Sequence, residues 1–314
     1  MDVKAKELHR KYRPRTFAEV VGQHEVIAVL RSKLNDSEVP HALLFAGPSG
    51  CGKTTLARIL AKELDCSAHD LQEINAADSR GIDTIREIQQ RLGLSPLAGK
   101  CRVWLIDESH RLTSDAQAAL LKMTEDTPSH AYFMFATTDP DKMLTTLRSR
   151  CTRIDVRPLN REELGKLVLS TAVAEGKEDL PEEVVEKIVE AANGSARMAQ
   201  NLLNKVIGLE NGEALNVIER EDTKKQAIEL CRLLFKESVK WPEIAAMIKA
   251  LMPELEKDPE SFRRMVLGYA NSVALGGGKS MRRAAAVINA FQTNWYDCGK
   301  VGLTAACLDF LRES

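Results

Sequence analysis

A chain of 314 residues, 44% hydrophobic and 28% charged, has the length for about two domains with separate cores. Its formal net charge of −1 excludes nucleic-acid binding through overall charge, so such a surface must be a local patch. No stretch approaches the roughly 20 apolar residues of a membrane span, and seven scattered cysteines without a Cys-x-x-Cys pair argue against a zinc site or disulfide framework.

The opening MDVKAKELHRKYRPRTF carries basic residues without an apolar core and is not expected to be a signal peptide. HALLFAG (41–47) reads as a buried strand and TTLARILAKEL (54–64) as a helix with Leu56, Ile59, Leu60 and Leu64 on one face. LQEIN (71–75), CRVWLI (101–106), YFMFA (132–136) and RIDV (153–156) are further strands. Between them DTIREIQQRL (83–92) keeps Ile85, Ile88 and Leu92 in helical register with Ile82. Strands alternating with helices predict an α/β core on a parallel five-stranded sheet, with helices on both faces. After Pro158 the strand signals stop. Helices are expected at 160–176, 181–194 and 196–210, started at Asn160 and Pro181, with 211–222 as a polar hinge. From Thr223 the pattern is helical, broken at Trp241-Pro242, Asp258-Pro259 and Gly276-Gly277-Gly278. The expected domains are an α/β core at 1–157, a helical lid at 158–222 and an all-α C-terminal domain at 223–314.

Gly47-Pro48-Ser49-Gly50-Cys51-Gly52-Lys53-Thr54, followed by Thr55, satisfies G-x-x-x-x-G-K-[ST] between a predicted strand and a predicted helix. Such a loop turns backbone N–H groups toward phosphate oxygens at a helix N-terminus. Lys53 is expected to neutralise the β and γ phosphates of ATP, and the Thr54 hydroxyl to ligate Mg²⁺. Val103-Trp104-Leu105-Ile106 delivers Asp107 and Glu108 to the end of a buried strand, where α/β sheets bind ligands. Asp107 is expected to hold Mg²⁺ and Glu108 to polarise the attacking water. Gly276-Gly277-Gly278-Lys279-Ser280 imitates a second phosphate loop, but Val273 stands where the first glycine belongs and no strand precedes it. It reads as a turn between helices.

With these residues in place, the chain resembles the ATP-binding AAA+ subunits of clamp loaders: the replication factor C small subunits, their phage counterparts and the bacterial tau/gamma subunit. Tyr12-Arg13-Pro14, the phosphate loop, Asp107-Glu108, Ala136-Thr137-Thr138-Asp139-Pro140 and Ser149-Arg150-Cys151 carry the resemblance in matching order. The resemblance implies that Tyr12, Arg13 and Pro14, with Val20, Val21, Gly22 and Gln23, frame the adenine. It implies that Thr138 is a first sensor of the γ-phosphate and Arg197 a second sensor on the lid. Arg150 would be an arginine finger reaching a neighbour's nucleotide; alone, Arg150 and Arg197 would read as surface ion pairs. The four-cysteine zinc insert of bacterial tau/gamma is replaced by Cys66-Ser67-Ala68-His69-Asp70, running almost straight into the next strand. That compact form beside a bacterial-looking Ala-Thr-Thr-Asp-Pro favours a phage protein. A cytoplasmic location in a bacterium or an infected host is expected, or the nucleus of a eukaryote.

The same resemblance implies other loader subunits, a sliding clamp and primer–template DNA as partners, and no membrane. Ser79, Arg80 and Gly81 before the 83–92 helix, and Arg111 with Ser114 after Glu108, are the candidate phosphate contacts; each also reads as an ordinary capped helix start. Leu92-Gly93-Leu94-Ser95-Pro96-Leu97 reads as core closing a loop, ahead of a clamp contact. Two rival functions remain: another AAA+ DNA-dependent ATPase such as a branch-migration helicase, and a loader subunit that binds ATP without hydrolysing it.

Overall fold

The computed structural model describes residues 7–255, 258–278, 280–295 and 298–313, so Lys279 of the false phosphate loop lies outside the described residues. The chain divides into two compact units, Met1–Ala214 and Leu215–Ser314.

In the first unit, α1 (Leu8–Lys11) and α2 (His24–Asn35) precede β1 (Ala42–Ala46), and α3 (Lys53–Glu63) follows it. Then come β2 (Cys66–Asn75), α4 (Ile82–Leu92), β3 (Cys101–Asp107), α5 (Ser114–Glu125), β4 (Ala131–Thr137), α6 (Thr145–Arg150) and β5 (Thr152–Asp155). The five strands form one parallel sheet in the order β2-β3-β4-β1-β5. β1 is apolar and buried throughout, and β3 is buried from Cys101 to Ile106, because helices cover both faces of the sheet. Successive residues alternate between two cores. Leu43, Phe45, Val103 and Leu105 pack with Leu56 and Leu60 of α3, whereas Leu44, Trp104 and Ile106 pack with Ile85, Ile88 and Leu120.

Three helices, α7 (Arg161–Ala174), α8 (Glu182–Ala192) and α9 (Ala196–Val206), complete this unit's main elements. Asn160 and Glu163 cap α7 reciprocally, and the Arg157 guanidinium holds the Glu163 carboxyl low, at about 2. Asn193 in the left-handed region ends α8, and the Ser195 hydroxyl caps α9.

Two sequence expectations change and a third is refined. β2 begins at Cys66 rather than Leu71, with an irregular register between the two. Segment 211–222 is helical, the first half of α10 (Asn211–Leu234), with Ala214 and Ile218 as buried anchors one helical turn apart; the division between the two units falls within it, as the hinge reading expects. Leu94 and Leu97 are not core: they are 56% and 75% exposed, while Leu92 packs inward. Fully buried Asp70 holds that loop out by accepting the N–H groups of Leu97, Ala98 and Gly99, and Arg102 donates to Asp70 and to the Ser95 carbonyl.

The second unit is helical throughout its regular structure: most of α10, then α11 (Trp241–Leu255), α12 (Pro259–Leu275), α13 (Met281–Ala290) and α14 (Val301–Glu313). Phe262, Val266, Phe291, Trp295 and Phe310 centre its core. A buried Glu260–Arg263 pair ties α12 to the Phe291 and Gln292 carbonyls and the Trp295 N–H. Among the described residues no helix is long and apolar enough to cross a membrane.

Candidate active site

The glycine-rich turn between β1 and α3 lies at the carboxyl edge of the sheet and opens on a cleft of about 660 Å³. Two glycines are dictated by their neighbours. A β-carbon on Gly47 would meet the Val156 carbonyl oxygen at 2.1 Å, and one on Gly50, at φ +78°, would meet the Ser195 hydroxyl at 2.2 Å. Gly52 caps α3 without a side chain, so the first N–H groups of that helix are offered to a ligand rather than to the protein.

Lys53 is buried, and its ammonium donates to the Gly47 and Pro48 carbonyls, both at 2.8 Å. Burial pushes its pKa down, against the pull of Asp107 and Glu108. A phosphate placed here would supply the counter-charge that the two carbonyls supply only in part. The Thr54 hydroxyl donates to Asp107 Oδ2 at 2.8 Å, while Asp107 Oδ1 accepts the Glu108 N–H at 2.9 Å. A hydroxyl and a carboxylate meeting beside a phosphate-shaped loop are hard oxygen donors of the kind Mg²⁺ takes, with phosphate and water oxygens completing its shell. The residues present therefore fit that ion.

Glu108 adopts φ +52°, and its carboxylate lies 3.5 Å from His110 Nε2 and 3.8 Å from Arg111 Nε. Tyr12, Arg13, Pro14, Val20 and Val21 line the cleft, with Thr54, Thr55 and Cys51 opposite. Tyr12 is tied to the lid by its hydroxyl, 3.1 Å from the Ala174 carbonyl, and Lys11 pairs with Glu175 at 2.7 Å. Gly22 and Gln23 are buried behind the cleft; the Gln23 amide bonds to the Arg157 backbone, and Gln23 reaches the cleft wall. Arg197 lines the cleft from α9, and its N–H donates to the Gly50 carbonyl at 3.4 Å.

Other candidate residues stand apart. Thr138 follows the end of β4 and is not among the cleft's lining; Thr137, one residue earlier, is the one bonded to His110. Arg150 lies outside its own chain's cleft, half-exposed at the end of α6 and paired with Glu125 at 2.8 Å. The segment carrying Ser79, Arg80 and Gly81 is joined to the one carrying Arg111 and Ser114 by the Thr113 N–H, which donates to the Arg80 carbonyl at 3.2 Å. Arg80, Arg111 and Ser114 are exposed. The sequence reading missed Asn75, Leu167, Thr171 and Gln200 as cleft residues. Asn75 had a legible signal, since it ends the strand beside Asp107; the other three line the site only because the lid folds over it.

Two family models match parts of the chain: "DNA polymerase III, delta subunit" over residues 67–160 and "Rad17 P-loop domain" over residues 2–90. DNA polymerase III subunit gamma/tau of Mycobacterium bovis is 36% identical over 223 residues, 64% of this chain and 38% of the relative. DNA polymerase III subunit tau of Bacillus subtilis is 35% identical over 231 residues, 67% of this chain and 41% of the relative. The chain thus spans about two fifths of the length of these curated relatives. Among solved structures, a Thermotoga maritima RuvB mutant aligns with TM-score 0.54 and 22% identity over 88% of this chain and 86% of that one. The Thermotoga maritima RuvB Holliday junction branch migration motor aligns with TM-score 0.53 and 21% identity, over 96% and 91%.

Proposed function

We propose, from a P-loop α/β fold and similarity over about two thirds of the chain to bacterial DNA polymerase III gamma/tau subunits, that this is an AAA+ protein and an ATPase subunit of a sliding-clamp loader. One observation carries the proposal: Lys53, Thr54, Asp107, Glu108 and Arg197 line a single cleft, whereas Arg150 is not part of its lining and sits half-exposed at the end of α6, free of any role at its own chain's cleft.

In this reading Lys53 exchanges the Gly47 and Pro48 carbonyls for phosphate oxygens. Thr54 and Asp107 would hold Mg²⁺, which would supply neutralisation of phosphate charge. Glu108 orients and polarises the attacking water. Thr138 senses the γ-phosphate from the end of β4, and Arg197 senses it from the lid. Tyr12, Arg13, Pro14, Val20 and Val21 frame the base. Arg150 stabilises the transition-state charge of a neighbour's nucleotide, a contribution of about 10³–10⁵ in rate where such fingers have been removed. Turnover therefore depends on assembly, through the C-terminal helices, with further copies and a distinct large subunit. ATP binding opens the clamp and grips primer–template DNA, and hydrolysis releases the clamp on DNA. Arg80 and Arg111 with Ser79, Gly81 and Ser114 contact phosphates without reading bases, and exposed Leu94 and Leu97 meet the clamp. The work belongs to the cytoplasm.

The test is ATP turnover by the purified chain, alone and with partner subunits, clamp and primed DNA, beside Arg150→Ala and Glu108→Gln. Turnover that rises sharply only with clamp and primed DNA, and collapses in both variants, is expected. Rapid turnover on DNA that ignores the clamp would sink the loader reading in favour of a translocating motor. Absence of turnover under every condition would leave a nucleotide-binding structural subunit.

A further inference from the structure

In the ATPase reading Glu108 must aim a carboxylate at a water molecule, yet its backbone sits in the left-handed region and among the described residues no bond shorter than 3.5 Å fixes its side chain. Its N–H is anchored on Asp107 Oδ1, which sets where the residue starts but not where the carboxylate points. Two nitrogen-bearing side chains flank the same oxygen. Arg111 is half in solvent, its side chain 52% exposed, and holds nothing firmly; His110 is 11% exposed and bonded at its far nitrogen.

That far bond fixes the imidazole. Thr137 is fully buried, and its hydroxyl oxygen accepts the Asp139 N–H at 3.0 Å. The same oxygen lies 2.9 Å from His110 Nδ1, and among the described residues no other acceptor is bonded to that hydroxyl. The hydroxyl proton therefore goes to Nδ1, which leaves the ring proton on Nε2, facing Glu108 Oε2. The chain runs from the Asp139 N–H to the Thr137 hydroxyl, from that hydroxyl to His110 Nδ1, and ends with Nε2 set 3.5 Å from the accepting Glu108 carboxylate. It begins at the strand end that carries Thr138 and ends at the group proposed to act on water.

We propose that His110 is a positioning residue that orients the Glu108 carboxylate and ties it to the end of β4. The proposal rests on the ATPase reading above and adds to it a mechanical link between the γ-phosphate sensor strand and the base. His110 touches no substrate; it acts only through Glu108.

The experiment is steady-state ATP hydrolysis by the full chain in its most active assembly, with nucleotide affinity measured separately by fluorescent-ATP titration and folding by thermal melting. His110→Ala is expected to lower kcat about 10- to 100-fold, with KM and Kd for ATP changed by less than about twofold, because misaim costs rate and not binding. His110→Gln returns an amide N–H near the Nε2 position and recovers about threefold or more of that loss. Thr137→Val removes the donor to Nδ1, lowers kcat in the same sense, and adds little to His110→Ala in the double variant, as members of one relay do. Thr137→Val and His110→Gln carry the test should His110→Ala fail to fold. Turnover of His110→Ala within about twofold of wild type, a loss that falls on Kd instead of kcat, or additive losses in the double variant each overturn the proposal. Wild-type protein that never hydrolyses ATP overturns the ATPase reading and this link together; an active wild type with an indifferent His110→Ala overturns the link alone.

Discussion

Lys53 shows what a residue can prepare before its ligand arrives. Its ammonium is buried and borrows two carbonyls of its own loop, so in the proposed role phosphate binding would exchange partners instead of desolvating a free cation. Gly50 is the tightest point of the arrangement. Gly50→Ala forces a β-carbon into the Ser195 hydroxyl and strains φ +78°, which displaces Arg197 as well. ATP affinity should fall by about tenfold or more, while the melting temperature shifts by only a few degrees; a nucleotide titration beside a melt measures both. Lys53, Thr54, Asp107 and Glu108 were legible in sequence because each is fixed by a short run of chain adjoining a strand. Asp70 was not. Its partners are the N–H groups of residues 27 to 29 positions later, and nothing in Cys66-Ser67-Ala68-His69-Asp70 announces them.

At the scale of elements, the loop from Gly93 to Lys100 is defined by that buried acid. Burial alone would raise the Asp70 pKa, but Ser67, the Leu97 and Ala98 N–H groups and Arg102 outweigh it and hold the carboxyl well below the usual carboxylate range. Asp70→Asn leaves Arg102 buried without its counter-ion, and should cost about 3–5 kcal/mol in urea unfolding of this unit. The Leu94 contact surface should loosen with it, seen as faster amide exchange at Leu97 to Gly99. The start of α7 makes a second, pH-dependent prediction. Glu163 has a folded pKa of about 2 against an ordinary value of 4.5, so its stabilisation is present above 4.5 and is lost as pH falls toward 2. Glu163→Gln should be less stable than wild type by about 1–3 kcal/mol at pH 7, and the gap should close over that window; unfolding curves at several pH values measure it. The strands and lid helices were predictable because periodicity reports local burial. The Leu92–Leu97 loop misled for the same reason: apolar composition records what a segment avoids, not whether a buried ion pair props it into solvent.

At the scale of the whole molecule, the sequence reading stopped where partners begin. Arg150 looks like an ordinary surface ion pair with Glu125, and its proposed role exists only between subunits. That yields a complementation experiment. Lys53→Ala and Arg150→Ala chains should each be inactive as separate assemblies. Mixed in one assembly, they should recover turnover, because the intact cleft of an Arg150→Ala chain then meets the intact arginine of a Lys53→Ala neighbour. DNA binding by the proposed assembly should weaken steeply with salt if, as proposed, its contacts are to phosphates. A shallow salt slope in a filter or anisotropy titration would argue against the Arg80 and Arg111 surface.

The strand Cys101–Asp107 has a consequence beyond its place in the sheet. Its second residue, Arg102, props the Leu94 loop, and its last, Asp107, stands in the cleft beside Glu108; the five residues from Arg102 to Ile106 are buried. An extended backbone holds no slack over its length of about 20 Å. A partner that pulls on the loop must therefore either break the bonds to Asp70 or slide the whole strut, carrying the acids at its other end. Pressure on the outside of the protein would then be felt as a change of aim inside the cleft.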